Sequence, residues 1–146
     1  NKRQQMTFDL ILRGKKCAYC GAKTSFIDSK EVYDRSYGMI YACLPCKAWV
    51  GVHKGSTAAL GRVAKAELRV LKMGAHQAFD GLWRKKQNGL LAAGGTKDSP
   101  EFKACRSDAY AWLSAAMGTE PDKTHIGFFD EAQCLKVIEL CKPYLR

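Results

Sequence analysis

Two cysteine pairs, Cys17-Ala-Tyr-Cys20 and Cys43-Leu-Pro-Cys46, decide how the first third of this 146-residue chain folds. Each pair has the two-residue spacing that lets both sulfur atoms point at one ion, and 22 residues separate the two pairs. Gly21, directly after the first pair, permits the positive φ that such a turn needs. This pattern is typical of a structural zinc site, so we predict that the four cysteines bind one Zn²⁺.

The predicted zinc site is structural, because four thiolates complete the coordination shell and leave no position for an activated water. A redox Cys-x-x-Cys pair normally stands alone at the start of a helix, and structural disulfides require an oxidising compartment. We expect no signal peptide in residues 1–14, so metal binding is favoured. Short β-type runs predict a small antiparallel zinc ribbon over residues 15–54; they are Thr24–Asp28, Glu31–Tyr33, Met39–Ala42 and Trp49–His53.

Beyond residue 54 the apolar pattern changes from period two to period 3.6. Apolar residues then recur at steps of three and four, which predicts a long helix over residues 62–87. A Gly-rich stretch predicts a loop over residues 88–99. Capping signals at Ser99 and Asp130 predict a helical hairpin over residues 100–142.

The predicted fold class is therefore α+β: a small four-cysteine zinc ribbon packed on a long helix, followed by a C-terminal helical hairpin. Residues 1–14 form an N-terminal segment in this interpretation. We expect the ribbon and the helical region 55–146 to fold as one cooperative unit.

Positive charge is concentrated in the first two thirds of the chain. The whole chain carries 24 Lys and Arg against 14 Asp and Glu, but residues 100–146 have a net charge of −1. Basic side chains recur at helical steps and, with Lys54, form what we call the basic seam: Arg62, Lys65, Arg69, Lys72, Arg84, Lys85 and Lys86. Such a single-signed stripe favours contact with phosphates, and the alternative is a surface that only maintains solubility.

Aromatic side chains of the ribbon extend this hypothesis. Tyr19, Tyr41 and Trp49 can stack on unpaired bases if they are exposed. We therefore expect the protein to bind nucleic acid, DNA or RNA, through phosphate contacts and without catalysis.

Three histidines and an aspartate form a candidate second site. His76 and Asp80 are four residues apart and so share one helix face, and His53 and His125 are the other members. A zinc-supported nuclease using His76 and Asp80 is one interpretation. We favour a local structural pair, because no Asp-His pair precedes a strand and helix after the second cysteine pair, as ββα-metal nucleases require.

Several local strings together resemble a zinc-finger-containing domain family associated with phages and prophages. The strings extend over about residues 15–142; besides the two cysteine pairs they are Trp49-Val-Gly-Val-His-Lys-Gly55, Ala75-His-Gln-Ala-Phe-Asp-Gly-Leu-Trp83, Ala109-Tyr-Ala-Trp-Leu113 and His125-Ile-Gly-Phe-Phe-Asp130. The resemblance implies zinc ligation by Cys17, Cys20, Cys43 and Cys46 and a bacterial or phage setting. It implies no particular activity.

Other classes of function remain open or are excluded. A protein-interaction adaptor or inhibitor that acts on a host protein is the main alternative, with the near-neutral, aromatic-rich last third as its docking face. No stretch approaches the roughly 18 apolar residues of a membrane span, so we expect no membrane partner. The expected location is the cytoplasm of a bacterial host cell.

Overall fold

The computed structural model describes residues 1–145, which form four α-helices and one three-stranded sheet. The helices are α1 (Lys2–Leu12), α2 (Ala66–Ala92), α3 (Pro100–Met117) and α4 (Glu131–Cys141). The strands are β1 (Ser25–Asp28), β2 (Met39–Cys43) and β3 (Ala48–Gly51). Short 3₁₀ turns occur at Ser29–Glu31, Pro121–Lys123, Ile126–Phe128 and Lys142–Tyr144. This architecture confirms the predicted α+β class.

The sheet is antiparallel with the order β1-β2-β3, and its register decides which side chains enter the core. Tyr41 pairs with Val50, and Cys43 pairs with Ala48, so these four side chains lie on the same face. That face is buried together with Cys17 and Val63. Two of the predicted zinc ligands, Cys17 and Cys43, therefore belong to the hydrophobic core itself.

The predicted strand at Glu31–Tyr33 is wrong. The chain forms a 3₁₀ turn over Ser29–Glu31, and the carbonyl oxygen of Ser29 accepts hydrogen bonds from the backbone N–H groups of Val32 and Tyr33. Bonds within this turn occupy backbone groups that a strand would offer to a neighbour.

The long helix starts and ends later than the predicted 62–87. Ala64 exchanges two backbone hydrogen bonds with Trp49, so this residue extends the sheet edge instead of starting the helix. At the other end, α2 continues past Asn88-Gly89 to Ala92, which shortens the predicted loop 88–99. Ala64 fits the apolar pattern of the helix because it is buried, but it is buried beside the sheet and not within the helix.

The chain divides into two compact units, and the division falls within α2. The first unit contains Asn1–Val70 together with Gly127–Phe129, and the second contains Leu71–Ile126 and the residues from Asp130 onward. The sequence-based division placed the boundary at residues 54 and 55.

Gly61 and Arg62 hold residues 127–129 in the first unit. The backbone N–H of Arg62 donates to the Gly127 carbonyl oxygen, and Gly61 approaches Gly127 so closely that an added Cβ would lie 1.9 Å from that oxygen. Only glycine fits at such an approach.

The second unit has a conventional apolar core. The ring of Phe79 in α2 lies 4.8 Å from that of Tyr110 in α3, and Leu113 and Val137 are fully buried. The predicted capping signals are confirmed: Ser99 caps α3, and Asp130 and Gln133 form a capping box at α4.

None of the helices within residues 1–145 combines the length and the apolar character that crossing a membrane requires.

Candidate metal centre

The first cysteine pair lies in a turn closed by two backbone hydrogen bonds, one of which is donated to sulfur. The backbone N–H of Tyr19 donates to the Cys17 Sγ at 3.4 Å, and the N–H of Gly21 donates to the Cys17 carbonyl oxygen at 2.9 Å. Gly21 adopts φ +79°, as the sequence predicted. Amide donors of this kind compensate part of the negative charge of a metal-bound thiolate.

The second pair follows the end of β2. Cys43 is the last residue of that strand, and the N–H of Lys47 donates to the Leu44 carbonyl oxygen to close the turn. Lys47 adopts φ +54°, the same left-handed region as Gly21 in the first pair. The two turns therefore have similar backbones, although only the first has glycine at the left-handed position.

The four cysteine sulfurs form one cluster. All four lie within 4.8 Å of one another, and the sulfurs of Cys20 and Cys43 are 3.6 Å apart. Tetrahedral Zn²⁺ with Zn–S bonds of about 2.3 Å holds its sulfurs about 3.8 Å apart. A disulfide would need a separation of about 2.05 Å, and all seven cysteines are free. The donor set fits one Zn²⁺.

Mutual hydrogen bonding also changes the acidity of these thiols. The backbone N–H of Ala22 and the neighbouring thiols lower the pKa of Cys20 to about 7. Hydrogen bonding to Cys20, together with burial, raises the pKa of Cys46 to about 12, and burial raises the pKa of Cys43. Without a cation, these contacts favour a thiolate at Cys20 over thiolates at Cys43 and Cys46. A divalent cation supplies the charge that lets all four ionise.

The histidines and Asp80 of the candidate second site have other contacts. His53 is exposed after β3, and the Nδ1 of His76 lies 3.0 Å from the Lys72 carbonyl oxygen. Asp80 accepts from the indole N–H of Trp83 at 3.0 Å, and His125 lies against the ring of Tyr110. In the described part of the chain, the four cysteines are the only group of three or more His, Cys, Asp or Glu suited to a metal. Of the four predicted residues, His53 belongs to the first unit, and His76, Asp80 and His125 belong to the second.

The basic seam is divided between the two units. Lys54, Arg62, Lys65 and Arg69 belong to the first unit, and Lys72, Arg84, Lys85 and Lys86 belong to the second. Arg62 has a structural contact, since its Nε donates to the Phe128 carbonyl oxygen at 2.8 Å. The other predicted residues of the seam are half-buried or exposed, and Lys54, Arg84, Lys85 and Lys86 are the exposed ones.

Several cations of the first unit lie over aromatic rings. The guanidinium carbon of Arg69 lies 4.2 Å from the centre of the Trp49 ring, and the Lys65 Nζ lies 4.6 Å from that of Tyr19. Tyr41, by contrast, is only 6% exposed and donates its hydroxyl to the Thr57 carbonyl oxygen. It is therefore not available for stacking on a base.

Two exposed rings of the β1–β2 loop, Tyr33 and Tyr37, are not among the predicted site residues. Tyr33 lies in the segment Glu31–Tyr33, for which the sequence wrongly predicts a strand. The sequence Tyr33-Asp-Arg-Ser-Tyr37 itself indicates exposed rings, because aromatic residues within a polar turn have no core to enter.

Comparison with known proteins identifies the family. A family model described as a zinc-finger-containing domain matches residues 13–144, which is most of the chain. No curated protein matches the chain, and no solved structure matches it.

Proposed function

Because this chain belongs to the family of zinc-finger-containing domains, we propose that its zinc-binding unit binds nucleic acid through phosphate contacts and does so without catalysis. The four-cysteine cluster binds one structural Zn²⁺, and a closed thiolate shell offers no position for a reacting water. The role of the metal is to hold the ribbon in shape, because a sheet of this size has too small a core to be stable alone.

The observation that carries this proposal is the distribution of charge between the two units. The first unit has 13 Lys and Arg against 5 Asp and Glu, a net charge of +8. The second unit has 11 against 9, a net charge of +2. Most of the positive potential therefore surrounds the zinc ribbon, and a polyanion is the partner that such a field attracts.

The contacts of individual cations support the same proposal. Lys65 and Arg69 are half-buried and lie over aromatic rings, and Lys54 is exposed. A cation held against a ring loses less side-chain freedom when it meets a phosphate. Arg62 and Arg69 each also donate to a backbone carbonyl oxygen, that of Phe128 and that of Ala64, so Lys54 and Lys65 are the cations chosen for the test.

Fluorescence anisotropy with labelled single-stranded and duplex oligonucleotides tests the proposal. We expect binding at about 50 mM salt that weakens steeply as salt rises, since each neutralised phosphate adds roughly 0.7–0.9 to the slope of log K against log salt. The double variant Lys54→Gln/Lys65→Gln lowers the affinity and reduces that slope by about 1.4–1.8. The matched control is Lys103→Gln/Lys136→Gln, two exposed lysines of the second unit, which leaves both unchanged.

Two results would contradict the proposal. No binding of either oligonucleotide by zinc-loaded protein at low salt removes nucleic acid as the partner. Fragmentation of the oligonucleotide in the presence of Mg²⁺, abolished by His76→Ala, replaces a binding function with a nuclease.

The seam residues of the second unit, Lys72 and Arg84–Lys86, are tested in the same way with glutamine variants.

A further inference from the structure

The β1–β2 loop is an ordered structure centred on one buried serine. Ser29 is 1% exposed, and its Oγ accepts from the backbone N–H of Tyr37 at 2.7 Å. Its own N–H donates to the Gly38 carbonyl oxygen at 2.9 Å, and its carbonyl oxygen accepts from Val32 and Tyr33. These bonds join both ends and the middle of the loop, so the loop has a defined shape without a core of its own.

The loop holds two tyrosine rings at the surface. Tyr33 is 42% exposed and Tyr37 is 63% exposed, and their rings meet edge to face with centres 5.5 Å apart. The indole N–H of Trp49 donates to the Tyr33 hydroxyl at 2.9 Å, and those two rings also meet edge to face, with centres 5.8 Å apart. The orientation of Tyr33 is therefore fixed from the sheet, and that of Tyr37 from Tyr33 and Ser29.

Two cations lie over rings of this aromatic cluster. The guanidinium of Arg35 lies 5.0 Å from the Tyr37 ring centre, and that of Arg69 lies 4.2 Å from the Trp49 ring centre. The loop itself contains Lys30, Glu31, Asp34 and Arg35, so its formal charge is zero. The loop therefore contributes flat apolar surface, and the rest of the first unit contributes the charge.

From this arrangement we infer that Tyr33 and Tyr37 stack on unpaired bases, and that the preferred partner of the protein is single-stranded nucleic acid. The inference rests on the proposed function, because the flanking cations are the groups that contact the backbone of the strand. Stacking needs rings that are exposed and oriented, since a base then binds without ordering the loop. Bases paired in a duplex are already stacked and do not offer their faces.

Tyr37→Ala and Tyr37→Phe test the inference as a matched pair. Tyr37→Ala weakens binding of a single strand by about tenfold, because one base loses its stacking partner. It leaves duplex affinity and the salt dependence unchanged, because no cation is removed. Tyr37→Phe retains the ring and binds a single strand as the unmodified protein does. Tyr144→Ala, which removes an exposed ring of the second unit, is the control and leaves single-strand affinity unchanged.

The possible outcomes separate the inference from the proposed function. Equal loss of single-strand and duplex affinity in Tyr37→Ala, or no loss of either, overturns the stacking inference while leaving phosphate binding in place. Failure of the unmodified protein to bind either form at low salt overturns both. Zinc content and melting temperature, measured on each variant, show that the fold is retained; both are expected to match the unmodified protein because the Tyr37 side chain is exposed.

Discussion

Cysteine has a different role in each of the two compact units. In the first unit, four cysteines at two-residue spacing bring their sulfurs within 4.8 Å of one another and fit one Zn²⁺. In the second unit, Cys105, Cys134 and Cys141 are 7%, 0% and 0% exposed and belong to no metal-binding group among residues 1–145. They pack as small apolar side chains. Local spacing, and not the abundance of cysteine, separates a ligand from a core residue.

Removal of zinc is expected to have the largest effect, and to be greatest in the first unit. Structural zinc contributes on the order of 10 kcal/mol to the folding of small zinc domains, because the site does not exist in the unfolded chain. After chelation we expect amide hydrogen exchange to accelerate most in residues 15–64 and less in α3 and α4. Peptide-resolved exchange measured by mass spectrometry checks this, and unchanged protection of β2 and β3 after verified metal loss would contradict the structural role.

The next largest contrast is between two cysteine-to-serine variants, one in each unit. Cys17→Ser removes one of four ligands, so zinc stoichiometry falls below one per chain and the ribbon loses stability. Cys134→Ser keeps one zinc per chain but destabilises the protein by about 1–3 kcal/mol, because it buries a hydroxyl. Metal analysis and denaturant unfolding measure the two effects. Zinc loss in Cys134→Ser would show that the division of roles is wrong.

Two glycine-to-alanine variants, one in each unit, compare a tightly packed backbone position with an open one. In Gly61→Ala the new Cβ would lie 1.9 Å from the Gly127 carbonyl oxygen, so the backbone has to separate, and we expect a loss of about 3 kcal/mol. Gly89→Ala, within α2, meets no atom within 4 Å. It is expected to stabilise the protein by about 0.5–1 kcal/mol, because alanine is the better helix former. Urea denaturation measures both, and equal effects would contradict the close approach.

A loss of stability that is confined to alkaline pH is expected to depend on Cys141. Burial raises the pKa of this thiol from 9.0 to about 11, so the folded state favours the neutral form. The neutral thiol makes its full contribution to the free energy of unfolding below pH 9. That contribution is lost as pH rises from 9 to 11, by up to roughly 2–3 kcal/mol. Cys141→Ala should show a weaker decline over that range than the unmodified protein. Parallel declines of the denaturant midpoint in both proteins would exclude this origin.

Much of the fold could be predicted because its signals are local. The capping box at Asp130, the Ser99 cap and the strands β1 and β2 depend on residues within a few positions of each other. The metal ligands were predictable for the same reason, since each Cys-x-x-Cys turn is complete within four residues. Helix α2 was predicted with shifted ends, because the pairing of Ala64 with Trp49 joins positions 15 residues apart.

The sequence by itself determined the zinc ligands, the α+β class and the excess of positive charge near the ribbon. Only the tertiary structure decided how individual side chains are used. It buries Tyr41 and exposes Tyr37, and it places the Arg62 Nε against the Phe128 carbonyl oxygen. The physical reason is the separation along the chain of the residues that interact. A turn or a cap forms from neighbouring residues, whereas burial and hydrogen-bond partners depend on segments that are distant in the chain. Residue type alone therefore cannot show which cations and rings remain available to a ligand.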